Sequence, residues 1–191
     1  PPPNPSAPFK TVQPVLQKLD EVTLDGASCL YTSDAAQVSI PYGMSAYTIE
    51  AWVKPDTSGS STGGIVGWGD YSTARGSNAL RLNGWCCAQN YWWGASLGGY
   101  APNGNLADGE WHHLAVTYDG QGEHSMMIDF TLVSRRTDAA PGPAAMTSVT
   151  NFCVGKTGSN EYYKGKIRGL RIWKYKMNIL GHVSQPSPPL P

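Results

Sequence analysis

The chain predicts an all-β protein, a sandwich of two antiparallel sheets, and three observations carry that reading. Apolar residues alternate with polar ones at a period of two in short runs, most clearly over residues 47–53, where Tyr47, Ile49, Ala51 and Val53 share one side and Thr48, Glu50 and Trp52 the other. Gly, Asp and Asn punctuate the runs, with the hairpin-type dipeptides Asp108-Gly109 and Asp119-Gly120 bracketing one of them. The prolines are segregated: of 15 in 191 residues, all but five lie in the first fourteen or last six positions, while all seven Trp and ten Tyr lie between. That middle of about 160 residues is enough for one packed domain and too little for two large ones.

In chain order the predicted strands cover residues 22–24, 29–31, 38–40, 47–54, 64–69, 79–82, 91–94, 111–118, 125–130, 151–155 and 164–174. Their lengths and spacing fit a two-sheet sandwich. Over 111–118 both parities carry bulk, Trp111, His113 and Ala115 against Leu114, Val116 and Tyr118, which places this strand in mid-sheet, covered on both sides. No repeat of 20 to 50 residues is visible.

Residues 1–8 and 185–191 are too proline-rich for a helix or a central strand and are expected to run as polyproline-II-like spacers. Between the first spacer and the sandwich, residues 9–22 admit two readings, a short helix with Val12, Val15, Leu16, Leu19 and Val22 on one face, or an extended arm laid along the domain. The expected organisation is a spacer and arm over 1–21, the sandwich over 22–182 and a spacer over 183–191. Ser/Pro-rich ends suit O-linked sugar, with Pro2, Pro3, Pro5, Ser6, Pro186, Ser187, Pro188 and Pro189 as the candidate glycan or hydroxyproline positions. Pro5 blocks the sequon at Asn4, and no other Asn-x-Ser/Thr occurs.

Fourteen Lys and Arg balance fourteen Asp and Glu, so no global charge draws the chain to nucleic acid or an anionic membrane. No apolar run approaches the roughly 18 to 20 residues of a membrane-spanning helix. The chain carries neither an initiating Met nor a signal-type leader and is read as a mature product or part of a longer protein. Cys29, Cys86, Cys87 and Cys153 lack CxxC zinc spacing and favour disulfides in an oxidising compartment. Either each of Cys86 and Cys87 reaches outward, because joining neighbours strains the backbone, or one bridge accompanies a vicinal one; four free buried thiols are the alternative to both.

Three strings, TIEAWVKPD over 48–56, DGEWHHLAVTYDG over 108–120 and YKGKIRGLRIW over 163–173, resemble in order and spacing the laminin-G type of concanavalin A-like jelly-roll domain. The resemblance covers about residues 22–177. It implies a jelly-roll sandwich, an extracellular role in glycan, receptor or matrix binding, and in some members one calcium ion at the rim. Two departures stand out. Phe130 and Thr131 occupy positions where the family has an Asp-Gly turn, so that hairpin is expected to be reshaped. Arg168 and Gly169 replace an acidic pair in the last strand.

Glycosidases on such sandwiches need two carboxylates flanking the scissile bond. The E-x-D-x-x-E arrangement is absent and Glu50 stands alone on its strand, so no enzyme is expected and a glycoside hydrolase is a remote alternative. His112 and His113, adjacent on a strand, point to opposite faces and cannot chelate one ion together; one is expected beside the core and the other hydrogen-bonded or facing solvent. Rim oxygens for calcium are available at Asp34, Asp56, Asp70, Asn103, Asn105 and Asp108 without a fixed spacing to select a set, so no metal is assigned and no cofactor is required. Sugar sites combine aromatic faces with placed polar groups. Asp70, Tyr71, Arg81, Asn90, Trp92 and Trp93 are the candidate ligand contacts, core packing is the competing role for Trp92 and Trp93, and strand alternation lets at most one of those two face a given surface. Lys164, Lys166, Arg168, Arg171, Lys174 and Lys176 form a run without an acid, read as a solvated strand edge or, alternatively, a site for sulfated or acidic glycan. The function expected is a non-catalytic carbohydrate-binding or adhesion module of a secreted or surface glycoprotein, with glycans or matrix and surface proteins as partners. The alternative is a structural subunit that self-associates through its proline-rich ends into a filament or wall fibre.

Overall fold

The computed structural model describes residues 14–18, 20–30, 39–138, 142–158 and 160–178. All the proposed glycan and hydroxyproline positions, and Asp34, lie outside these residues. Fourteen strands and no helix make up the described chain: β1 (Leu16–Lys18), β2 (Val22–Asp25), β3 (Tyr47–Pro55), β4 (Thr62–Gly69), β5 (Ser77–Asn83), β6 (Cys87–Tyr91), β7 (Leu97–Tyr100), β8 (His112–Tyr118), β9 (His124–Ile128), β10 (Thr131–Arg136), β11 (Cys153–Val154), β12 (Lys156–Thr157), β13 (Glu161–Tyr162) and β14 (Lys164–Trp173). They form two seven-stranded sheets. The first runs β1-β14-β3-β8-β9-β10 with β2 also on β14, and the second runs β12-β13-β4-β5-β6-β7 with β11 on β4. Pairing is antiparallel apart from the short contact of β13 with β4. This is an all-β jelly-roll sandwich.

The alternation read from residues 47–53 fixes which side of β3 faces in. Ile49, Ala51 and Val53 are fully buried and pair with Val116, Leu114 and His112 of β8, whose inward side chains meet Ile65, Leu80, Leu82 and Trp92 in the same core. All seven residues of β8 are buried, as expected of a mid-sheet strand. Its outer face is covered in part by the chain after β14: Thr48 Oγ1 donates to the carbonyl of Tyr175 and accepts from the amide of Met177, and Met177 packs on Ala115 and Met127.

Several expectations change. Of the two readings of residues 9–22 the extended arm holds where the chain is described, with a strand at Leu16–Lys18 that pairs with β14. Leu30 makes one bridge to Val154 in place of a strand over 29–31, residues 39 and 40 lie in a turn and coil, and the strand read at 91–94 lies earlier, at Cys87–Tyr91. The hairpin after β9 keeps a tight two-residue turn, at Asp129 and Phe130, with φ of 48° and 62°, instead of being reshaped at Phe130 and Thr131. Left-handed backbone disfavours such side chains. Asp129 is held there by hydrogen bonds from the His113 amide and His112 Nδ1, both at 2.8 Å, and Phe130 by stacking on His113 at 4.7 Å between centroids.

Of the cysteine readings the second holds: Cys29 bonds Cys153, and Cys86 bonds Cys87. Nor is the basic run a strand edge, because β14 lies between β3 and the pair β1 and β2. Its charges are engaged one by one. Lys164 meets Ser58 and Asp56, Lys166 meets Glu21, Arg171 meets Glu50, Lys176 meets Glu123, and the Arg168 guanidinium lies 4.3 Å from the Trp111 ring centre. Lys174 is exposed.

Candidate functional site

The outer face of the second sheet is shaped by glycines. On β4, Gly64 and Gly67 pair with Arg81 and Ala79 of β5, whose side chains point outward. A Cβ on Gly67 would stand 2.1 Å from Tyr71 Oη, and one on Gly64 would stand 2.2 Å from the Thr157 amide nitrogen. Both separations are below any real contact, so the bare strand is what lets Tyr71 and the β12–β13 hairpin settle onto the sheet. Between them opens a hollow of about 510 Å³, whose lining includes Asp70, Tyr71, Ser72, Tyr91, Lys156 and Glu161.

Each lining group has a local reason for its position. Asp70 follows β4 and closes its own loop: Oδ1 accepts from the Ser72 amide and hydroxyl, Oδ2 from the Thr73 hydroxyl, and these bonds hold its carboxyl below the usual range. The Tyr71 ring lies nearly parallel to that of Tyr91, with centres 6.4 Å apart and an angle of 12°. Its hydroxyl is buried and without a hydrogen-bond partner, and burial followed by the charge of Glu161 pushes its pKa up. Arg81 organises the wall. Nε and Nη2 donate to Gln89 Oε1 at 2.9 and 2.8 Å, Nη1 donates to Glu161 Oε1 at 2.5 Å, and the guanidinium lies 4.1 Å from the Tyr91 ring centre. Glu161 Oε2 also accepts from Thr157 Oγ1, and the Lys156 ammonium rests over the Tyr162 ring at 4.7 Å.

Two of the six candidate contacts, Asp70 and Tyr71, therefore line one hollow, and a third, Arg81, lies behind its wall, bonded to Glu161 and over the Tyr91 ring. Asn90 and Trp92 do not: both are fully buried and belong to the core. Asn90 Oδ1 accepts from Tyr47 Oη and from His124 Nε2, its Nδ2 donates to Asn78 Oδ1 and the Ala79 carbonyl, and Trp92 Nε1 donates to Tyr47 Oη. Trp93 points the other way and is 41% exposed, in the turn after β6. The sequence reading passed over Tyr91, Lys156 and Glu161. Tyr91 had a signal, since a strand ending at residue 91 places Gln89 and Tyr91 outward and Asn90 inward; a two-residue strand such as β12 or β13 leaves none.

The other chemical constellations resolve on the first sheet. His112 donates to Asp129 and Asp108 at 2.8 and 2.9 Å; burial disfavours its charge, but those two bonds outweigh it and raise its pKa. His113 projects to the opposite face, buried instead of solvent-facing, against Glu50 and the Trp52 ring. Burial raises the pKa of Glu50, yet His113 and Arg171 more than offset this and leave it lowered. Among the described residues no three His, Cys, Asp or Glu side chains converge as a metal site. Of the calcium candidates, Asp56 and Asp70 turn back onto their own loops and Asp108 is engaged with His112.

A jelly-roll sandwich with an aromatic and polar hollow on one sheet defines a lectin-like β-sandwich. The chain belongs to the concanavalin A-like lectin/glucanases superfamily, whose sequence pattern matches residues 30–178. No curated protein matches the chain in sequence. Among solved structures, the CBM40 of the Ruminococcus gnavus IT-sialidase bound to α2,3 sialyllactose is similar at 15% identity and a TM-score of 0.71, over 87% of this chain and 95% of that one. Domain 4 of AbnA, a GH43 extracellular arabinanase from Geobacillus stearothermophilus in complex with arabinotriose, is similar at 19% identity and a TM-score of 0.58, over 83% and 72%. The leech intramolecular trans-sialidase is similar over 86% of this chain but only 26% of its own, at 15% identity and a TM-score of 0.63.

Proposed function

We propose that this chain is a non-catalytic carbohydrate-binding module of an extracellular protein, and that it binds sugar in the hollow on the outer face of its second sheet. The observation that carries this reading is the convergence of Tyr71, Tyr91, Arg81, Glu161, Lys156 and Asp70 on one surface. Aromatic rings offer the apolar faces that sugar rings stack on, and the charged groups offer donors and acceptors for hydroxyls. The sialyllactose-bound CBM40 and the arabinotriose-bound arabinanase domain, sandwiches of like fold, support it. A disulfide closing 124 residues of chain supports an oxidising compartment. Hydrolysis is disfavoured because a glycosidase needs two carboxylates flanking the scissile bond, and Glu50 is paired with His113 and Arg171 instead of with a second carboxylate. A glycan array followed by calorimetry, with and without calcium, tests the reading. Binding to at least one glycan is expected, and binding to none in either condition would sink it.

A second reading, a subunit of an extracellular fibre, draws on one observation: β1 is an N-terminal arm that adds to the rim of the first sheet by pairing with β14. An arm of this kind can add to a neighbouring molecule instead. Growth of fibres from native material would favour it, and a monomer at high concentration with both ends intact would not.

A further inference from the structure

The hollow is one end of a longer strip. Side chains alternate along β6, so Cys87, Gln89 and Tyr91 share the outer face of the second sheet, and the register sets Tyr100 opposite Cys87 and Gly98 opposite Gln89 on β7. Tyr100 is 75% exposed, more than any other large apolar side chain among the described residues. Gly98 presents no side chain, so nothing on β7 rises beside Gln89 between the two tyrosines. Four residues of strand separate Tyr91 from Cys87, a reach of roughly 13 Å that one sugar ring cannot bridge and a chain of a few can.

The strip is also electrically balanced. The Lys156 ammonium at the hollow and the Arg81 guanidinium behind its wall are matched by Glu161 and Asp70, and Arg81 already gives Nε and Nη2 to Gln89 and Nη1 to Glu161. Arg81 spends three of its five N–H groups on Gln89 and Glu161, and a sugar carboxylate reaching for the rest would come up beside the Glu161 carboxylate that already balances its charge. Lys156 alone would then face an acidic ligand, from its seat over Tyr162. Hydroxyls carry no such cost, since Glu161 can accept from them and the Gln89 amide nitrogen can donate to them while both side chains remain on Arg81.

We infer that the second sheet binds a stretch of uncharged oligosaccharide laid along β6 from the hollow at Tyr71 and Tyr91 to Tyr100, not a single acidic sugar. This rests on the carbohydrate-binding reading and narrows it. Calorimetry would compare the arabino-, cello- and galacto-oligosaccharide series from monosaccharide to tetrasaccharide, with lactose and α2,3 sialyllactose as a matched pair, on the wild type and Tyr100→Ala. In at least one neutral series affinity is expected to rise about tenfold or more with length. Tyr100→Ala should remove roughly three- to tenfold of that gain, as loss of one stacking contact would, and leave the monosaccharide unaffected. Sialyllactose should bind no tighter than lactose. Affinity independent of length, an unaffected Tyr100→Ala variant, or sialyllactose tighter than lactose by tenfold would each overturn the inference while leaving glycan binding in place. Binding to no sugar would overturn both.

Discussion

Tyr47 and Asn90 join the two sheets through the middle of the core: the Tyr47 hydroxyl, on β3 of the first sheet, donates to Asn90 Oδ1, on β6 of the second, at 2.5 Å. Trp92, Asn78 and His124 complete a buried network in which the Asn90 amide uses its oxygen twice and its nitrogen twice. Removing one member leaves buried groups without partners. Tyr47→Phe should therefore cost about 1–3 kcal/mol in a urea titration while glycan affinity stays at the wild-type value. A loss of affinity at unchanged stability would return Asn90 and Trp92 to the binding surface.

The same network gives stability a dependence on pH. Burial, and then the charge of Arg136, depress the pKa of His124 to about 3, from 6.5 in an open chain. Below pH 6.5 the unfolded chain takes up a proton that the folded one refuses, so stability falls with decreasing pH, by up to about 1.4 kcal/mol per pH unit from this group. His112 has the opposite sign: its raised pKa stabilises the fold below 6.5, and that contribution is lost as pH rises through the folded value. Denaturation midpoints from pH 4 to 9 check both. His124→Gln should flatten the acid limb, and His112→Gln should remove the loss on the alkaline side.

The two disulfides should behave very differently. Cys29–Cys153 closes 124 residues, and replacing both partners by Ala is expected to cost about 2–5 kcal/mol by freeing the unfolded chain. Cys86–Cys87 joins neighbours and closes no loop of chain to speak of. A double Ser variant there should melt within a few degrees of the wild type, as differential scanning calorimetry would record.

Gly67 should act as a determinant of the site's shape. A methyl group there meets Tyr71 Oη and Thr157 Cγ2 at 2.1 and 2.8 Å. Gly67→Ala is expected to displace Tyr71, lower glycan affinity at least tenfold and keep the sandwich folded, with far-UV circular dichroism unchanged.

How much of this was legible depended on whether a residue's role was written in its own neighbourhood. β3, β8 and β14 are long and strongly patterned, so alternation and the three family strings locate them. β10 escaped because its TLVSRR is half exposed and because the turn before it uses Asp129 and Phe130, residues held in left-handed backbone by distant contacts with His112 and His113. In the site, Asp70 and Tyr71 follow a Gly-rich strand and show in the sequence, as does an outward Arg81. Glu161 and Lys156 do not, since only the fold of a two-residue hairpin brings them across β4. A strand set a few residues too late puts Asn90 among the ligand candidates and hides Tyr91, while the core role open to Trp92 is the one it takes.

The central claim is the location of the binding surface, and amide and side-chain chemical shifts recorded while a neutral trisaccharide such as arabinotriose is titrated in test it most directly. Perturbations are expected at Tyr71, Arg81, Gln89, Tyr91, Tyr100 and Glu161, saturating together, and their loss in Tyr91→Ala. Saturable shifts confined instead to the outer face of the first sheet, around Trp52, Phe130 and Arg168, would contradict it.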